Sequence, residues 1–221
     1  NPVVRLIRWA VILGGGLLLA ASIYQLSHQL PDLRYTMLFT LAMILSWPRL
    51  KLPLNAAELL VYVVLIVYGQ AAAILLSVTA TVVTFRSLLK QDRTQFFLRC
   101  GQAVLSAALA AFVLNWLLTI GTPAGENSPL LFINALAWMA WTRYLVHVDW
   151  RACYSAIRSH KFKEILVTGQ WINGFVAYFA AAITAGVVLL VAQHNESYIS
   201  VLCLVILTIF YFAYRRFKKK Y

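Results

Sequence analysis

The sequence predicts an all-α protein, a polytopic transmembrane helix bundle of about eight spans with an amphipathic helix on the inner membrane surface. Three observations carry this. Apolar residues make up 62 % of the chain and charged residues 12 %, where a water-soluble domain carries about 25 % charged residues to cover its surface. The apolar residues gather in several long runs rather than in one periodic core pattern. Between the runs, the lysines and arginines stand in short clusters, the arrangement that fixes the orientation of spans in a bilayer. One integral membrane domain over residues 1–221 accounts for all three.

Span one, residues 6–26, contains WAVILGGGLLLAASIYQL and follows Arg5 and Arg8. Its basic start and the small residues near Ala20 and Ala21 share the layout of a signal peptide, but the run is read as a retained span. Gly14 to Gly16 lie inside it, where close helix packing explains them better than phosphate binding. Span two, residues 33–47, is short and ends at WPRLKLP, where Pro48 and Pro53 break the helix. The next thirty residues, AAELLVYVVLIVYGQAAAILLSVTATVVTF, fit one very long helix or two short ones. A turn at Gly69-Gln70 would divide them into spans at 56–68 and 71–87. Four further spans follow at 98–118, 130–148, 171–192 and 199–214.

Charge decides between one long helix and two. With a hairpin at Gly69-Gln70 both termini share a side, and every lysine and arginine except Arg34 falls on it. A single crossing scatters them, so positive-inside bias prefers the hairpin and makes both termini cytoplasmic. The opposite loops carry Asp32, Glu126 and Glu196. Residues 150–170, WRACYSAIRSHKFKEILVTGQ, are too charged to span. Trp150, Tyr154, Ile157, Ile165 and Leu166 fall at helical spacing, with Arg151, Arg158, Lys161 and Lys163 between them. This pattern describes a helix lying in the interface, cations at the headgroups. After span eight, Arg215, Arg216, Lys218, Lys219 and Lys220 anchor the chain at the anionic inner leaflet.

The formal net charge of +12 does not indicate nucleic-acid binding, because the cations punctuate apolar runs instead of lining one face. Cys100, Cys153 and Cys203 show no metal or redox spacing and read as small packing residues. No nucleophile–base pair, metal-ligand set or glycine-rich phosphate loop is present, so no catalytic residue, metal or cofactor is assigned and an enzyme is not expected of this chain. His28 and His194 both fall toward the outer surface, and His147 and His160 read as solvated at the cytoplasmic edge.

Polar groups inside the spans are the better guide to a site, because polar atoms in hydrocarbon must find partners. Glu58 is the one carboxylate within a predicted span; its position near Arg49 and Lys51 predicts a paired, snorkelling carboxylate. Gln102, Asn115, Asn134, Gln170 and Asn173 place amides in or beside three more spans. Such amides serve as interhelical contacts. If Glu58, Gln102, Asn115, Asn134 and Asn173 converge, they line a polar pocket for a small ligand.

Three stretches, FFLRCGQAVLSAALAAFVLNWLL, LFINALAWMAWTRYLV and QWINGFVAYFAAAITAGVVLL, together with WPRLKLPLNAAELLVYVVLIVYGQAAAILLSV, carry a resemblance. Over about residues 35–221 the chain resembles the N-terminal membrane modules that precede cytoplasmic HD-GYP phosphodiesterase or GGDEF cyclase domains of bacterial cyclic di-GMP signalling. The matching polar positions are Gly69, Gln102, Asn134 and Asn173; the family often carries Asn about where Arg99 or Cys100 stands here. The resemblance implies a sensory or anchoring module in the bacterial inner membrane, a homodimer, and a cytoplasmic output domain after Tyr221. A small transporter or substrate-binding subunit, or a structural subunit of a larger membrane complex, are the readings from other classes.

Overall fold

The computed structural model describes residues 2–28, 33–47, 55–121, 129–147, 176 and 178–187. Among the described residues every regular element is a helix. These are α1 (Pro2–Ser27), α2 (Leu33–Leu45), α3 (Asn55–Tyr68), α4 (Gln70–Phe85), α5 (Leu88–Gln91), α6 (Arg93–Gly121), α7 (Pro129–His147) and α8 (Tyr178–Val187). The all-α expectation holds, and six of the predicted runs coincide with helices α1 to α4, α6 and α7. The seventh, 171–192, contains α8; the eighth, 199–214, and the basic segment 150–170 lie outside the described residues.

Gly69 separates α3 from α4. It adopts φ 84° and ψ −172°, a region that side chains other than glycine's occupy only under strain. Helical bonding runs up to it on both sides, with Gly69 N–H donating to Leu65 O at 3.1 Å and Ala73 N–H donating to Gly69 O at 3.2 Å. The chain reverses here. Glu58 and Ser77 both bond the Arg143 guanidinium, whereas one straight helix would hold them about 28 Å apart at 1.5 Å per residue. A Cβ at Gly69 would meet nothing within 4 Å, so Gly69→Ala tests backbone strain alone. We expect a loss of about 1–3 kcal/mol, read from thermal unfolding of the purified protein.

α6 begins earlier than the apolar run at Leu98 indicates, because Asp92 supplies its cap. The Asp92 carboxylate accepts from the Gln95 N–H at 2.9 Å, satisfying one of the donors that a helix start leaves open. Three charged or polar residues, Arg93, Thr94 and Gln95, therefore precede the apolar body of the helix, and the single turn α5 links them to α4.

Contacts between named residues fix the direction of every helix. Gly15 and Val11 of α1 meet Gly101 of α6, while Leu18 and Leu19 pack beside Val104, Ala107 and Ala108, so α1 and α6 run parallel. Ser77 bonds Ala103 O and Arg99 stacks over Phe85, which sets α4 antiparallel to α6. The Tyr35 hydroxyl donates to Ala72 O at 3.3 Å and Thr84 donates to Ser46 O at 3.2 Å, so α2 parallels α4. Tyr178 lies against Tyr144 and His147, and Gly186 against Leu136, making α8 antiparallel to α7. Long helices thus alternate in direction along the chain. Arg5, Arg8, Arg86, Lys90, Arg93 and Arg99 collect at one end of the bundle, and Arg34 stands at the other.

Small residues let the backbones close. Ala103, Ala107, Ala110 and Ala111 of α6, Ala135 and Ala140 of α7 and Ala181, Ala182 and Ala185 of α8 are buried, and small side chains on packed faces favour short interaxial distances. The outer surface is apolar instead. Leu6, Ile7, Trp9, Leu13, Leu17 and Tyr24 of α1 are exposed, as are Phe97, Leu109, Phe112 and Trp116 of α6 and Trp138 and Trp141 of α7. Two helices, α1 from Arg5 and α6, are long and apolar enough to cross a membrane. At 14 and 16 residues, α3 and α4 measure about 21 and 24 Å, less than a hydrocarbon core of about 30 Å.

Candidate functional site

Arg143 is the largest fully buried side chain among the described residues, with 1 % of its surface exposed. It stands one turn from the end of α7, and each of its three guanidinium nitrogens reaches a different helix. Nε donates to Glu58 Oε2 in the first turn of α3. Nη2 donates to Ser77 Oγ, midway along α4, at 2.9 Å, and Nη1 to Ser106 Oγ, midway along α6, at 3.3 Å. Both serine hydroxyls donate onward to the Ala103 carbonyl, at 3.3 Å from Ser77 and 2.9 Å from Ser106. Guanidinium fits this junction because its donors fan out in one plane; a lysine ammonium could not reach all three helices at once.

His147, one turn beyond Arg143, joins the same network. Its Nε2 lies 3.1 Å from Ser106 Oγ. Ser106 has one hydroxyl hydrogen, which the Ala103 carbonyl already accepts, so every contact is satisfied when His147 carries its proton on Nε2 and donates to Ser106. Aromatic rings close the site. Tyr62 is fully buried with its ring 5.8 Å from the Arg143 Cζ. Tyr178 of α8 stacks edge-on to Tyr144 at 5.8 Å and tilts against His147 at 5.9 Å. One cation and one carboxylate thus balance within a shell of hydroxyls and rings, where a net charge would be costly.

Four points of the sequence reading change. Among the described residues Glu58 pairs with Arg143; the nearby Arg49 and Lys51 lie outside them. Arg143 itself is an interior group and not one of the surface cations. His147 is half-buried and bonded rather than solvated. The predicted cluster of amides does not assemble: Asn115 and Asn134 are exposed on the outer faces of α6 and α7. Gln102 is half-buried one turn before Ser106, its buried Oε1 without a hydrogen-bond partner among the described residues. Asn173 lies outside the described residues, as do Arg151, Arg158, Lys161, Lys163 and the terminal cations. Of the four described candidates, Glu58 alone is bonded into the cluster.

The residues missed were Arg143, Ser77, Ser106 and Tyr62. A signal existed for the first. Arg143 sits five residues inside its predicted span, one helical turn deeper than a headgroup contact requires, and an unpaired cation there calls for the chain's one in-span carboxylate. Nothing in the sequence distinguishes Ser77 and Ser106 from ordinary packing residues.

Among the described residues the buried Tyr62 hydroxyl has no hydrogen-bond partner. A donor in that state costs about 1–3 kcal/mol. Tyr62→Phe is therefore expected to keep or raise the melting temperature, whereas Ser77→Ala, which strips a partner from Arg143, lowers it.

Comparison with models of protein families, with curated proteins and with solved structures finds no match to this chain.

Proposed function

We propose that the chain is a membrane-embedded sensory or anchoring module in which Arg143 latches α7 to the α3–α4 hairpin. The single observation behind this reading is the distribution of one buried guanidinium over three helices. A charge held in an apolar bundle is expensive, and chains retain one where it performs a task. Here it fixes the register of α7, the helix that leads in sequence into the basic segment 150–170. Breaking one of the three bonds frees α7 to shift against the hairpin, which supplies the two packings a switch needs. A ligand, lipid or partner acts by favouring one of them.

The bilayer is the medium that suits the outer surface. Exposed Leu, Ile, Phe and Trp side chains on α1, α6 and α7 would form patches far beyond what a soluble monomer tolerates. Among the described residues, six cations at one bundle end against one at the other support a cytoplasmic face there, and the reading places both chain termini on that side. The short α3–α4 hairpin leaves this parity unchanged whether it spans the bilayer twice or re-enters from one side. Following the resemblance, the recipient of the signal is a cytoplasmic domain acting on cyclic di-GMP in the bacterial inner membrane, and a homodimer is the working assembly.

The test uses the intact parent protein in its own cells. Glu58→Gln and Arg143→Gln, at membrane abundance equal to wild type, should each shift cyclic di-GMP several-fold in the same direction. Unchanged levels in both variants, or a reading frame that ends at Tyr221, would remove the signalling role. A small substrate-binding or transport subunit is the second reading, favoured by the depth of Arg143 at the midpoints of α4 and α6. It requires ligand-dependent thermal stabilisation that Arg143→Gln abolishes.

A further inference from the structure

We propose that the outward groove of α1 is a binding site for one anionic glycerophospholipid. Leu6, Trp9, Ala10 and Leu13 line an open, shallow groove on the face of α1 with Arg5 at its mouth. Arg5, Trp9 and Leu13 follow one another at four-residue spacing and form one wall. Leu6 and Ala10 form the other, and the small Ala10 opens the notch between them. Along the helix the groove runs about 12 Å from Arg5 to Leu13, which suits an extended acyl segment. Among the described residues, Arg5 is its one charged lining residue.

Charge complementarity selects the headgroup. Because α1 runs parallel to α6 with Gly15 opposite Gly101, Arg5 and Arg8 stand level with Lys90 and Arg93, and the neighbouring Arg86 and Arg99 add to the same field. Asp92 is the one carboxylate among the described residues at this end, and its oxygen accepts from the Gln95 N–H. An anionic phosphate entering beside Arg5 meets this positive field while its chain covers Leu6, Ala10 and Leu13. A zwitterionic headgroup gains much less there. Trp9 places an amphipathic ring just below the headgroup, the position such rings favour at a membrane interface.

This inference rests on the membrane reading above. The experiment is native mass spectrometry of the full chain released from mixed phosphatidylglycerol–phosphatidylcholine bilayers. Wild type should retain one phosphatidylglycerol in preference to phosphatidylcholine. Arg5→Gln should cut that preference about fivefold, the contribution of one cation near an anionic surface. Ala10→Phe, which fills the notch, should abolish retention of the lipid, while Arg34→Gln at the opposite end leaves it intact. Arg5 and Ala10 are exposed, so neither change threatens the fold. Glycerol phosphate, the headgroup without chains, should fail to compete. Equal retention of the two lipids, indifference to Ala10→Phe, or full competition by glycerol phosphate would each overturn the site. A chain that stays monodisperse in water without detergent would instead overturn the membrane reading beneath it.

Discussion

Arg143→Met is expected to lower stability by about 3–5 kcal/mol, the cost of leaving a buried ion without its partner. The stranded group is the Glu58 carboxylate, whose side chain is 15 % exposed and whose oxygen accepts from Arg143 Nε. Glu58→Gln should cost less, because the amide oxygen still accepts from Nε, although the guanidinium keeps its charge uncompensated. The double variant Glu58→Met with Arg143→Met removes both charges together. Ser77 and Ser106 remain satisfied in it through the Ala103 carbonyl. We therefore expect the double variant to recover most of the loss, and to lie close to wild type where methionine fills the vacated volume. Unfolding of all four proteins in one detergent closes the cycle. Additive losses, with no recovery in the double variant, would mean that the two side chains do not act as a pair. Recovery of stability without recovery of the proposed cyclic di-GMP response would separate the latch from mere structural support.

Legibility in the sequence follows length scale. Helix positions were readable because apolar runs and their breaks are local: Pro48 and Pro53 after α2, Gly69 between α3 and α4. The reversal at Gly69 was readable from charge, since the positions of Arg49, Lys51 and Arg86 make sense on one side only if the chain turns back. The start of α6 was not, because its first turn is polar and depends on the Asp92 cap rather than on hydropathy. The site was half legible. Glu58 stands out as a carboxylate in an apolar run, but its partner is 85 residues away, and only the packing of α3, α4, α6 and α7 brings the two together. The amides misled for a related reason. Asn115 and Asn134 lie in apolar helices, yet rotation about the helix axis decides whether an amide faces the core or the outside, and small hydrophobic-moment contrasts do not settle it in a helix that is apolar all round.

The contact of α1 with α6 offers the second large effect and the sharpest positional contrast. A Cβ on Gly101 would stand 2.6 Å from the Val11 carbonyl oxygen and 3.2 Å from Val11 Cγ1, and one on Gly15 would stand 2.7 Å from the Gly101 Cα. The nearest obstacle in each case is backbone, which cannot rotate away as a side chain could. Alanine at either position must push the helices apart, at about 1–3 kcal/mol for overpacking, and leucine at Gly101 should prevent the native contact. Separation also withdraws Leu18 and Leu19 from the cluster of Ile74, Val78, Val104 and Ala107, so the loss spreads beyond the two glycines. Gly14 and Gly16 are neighbours in sequence but have nothing within 4 Å of the added carbon. Alanine there should raise stability by up to about 0.5–1 kcal/mol, since it removes a glycine from a helix interior without meeting an obstacle. Unfolding midpoints of the four alanine variants, measured side by side, read the difference directly. Equal losses at Gly14, Gly15, Gly16 and Gly101 would point to a flexible α1 whose glycines matter for bending; opposite signs within three consecutive residues require the close, parallel seam that holds α1 against α6.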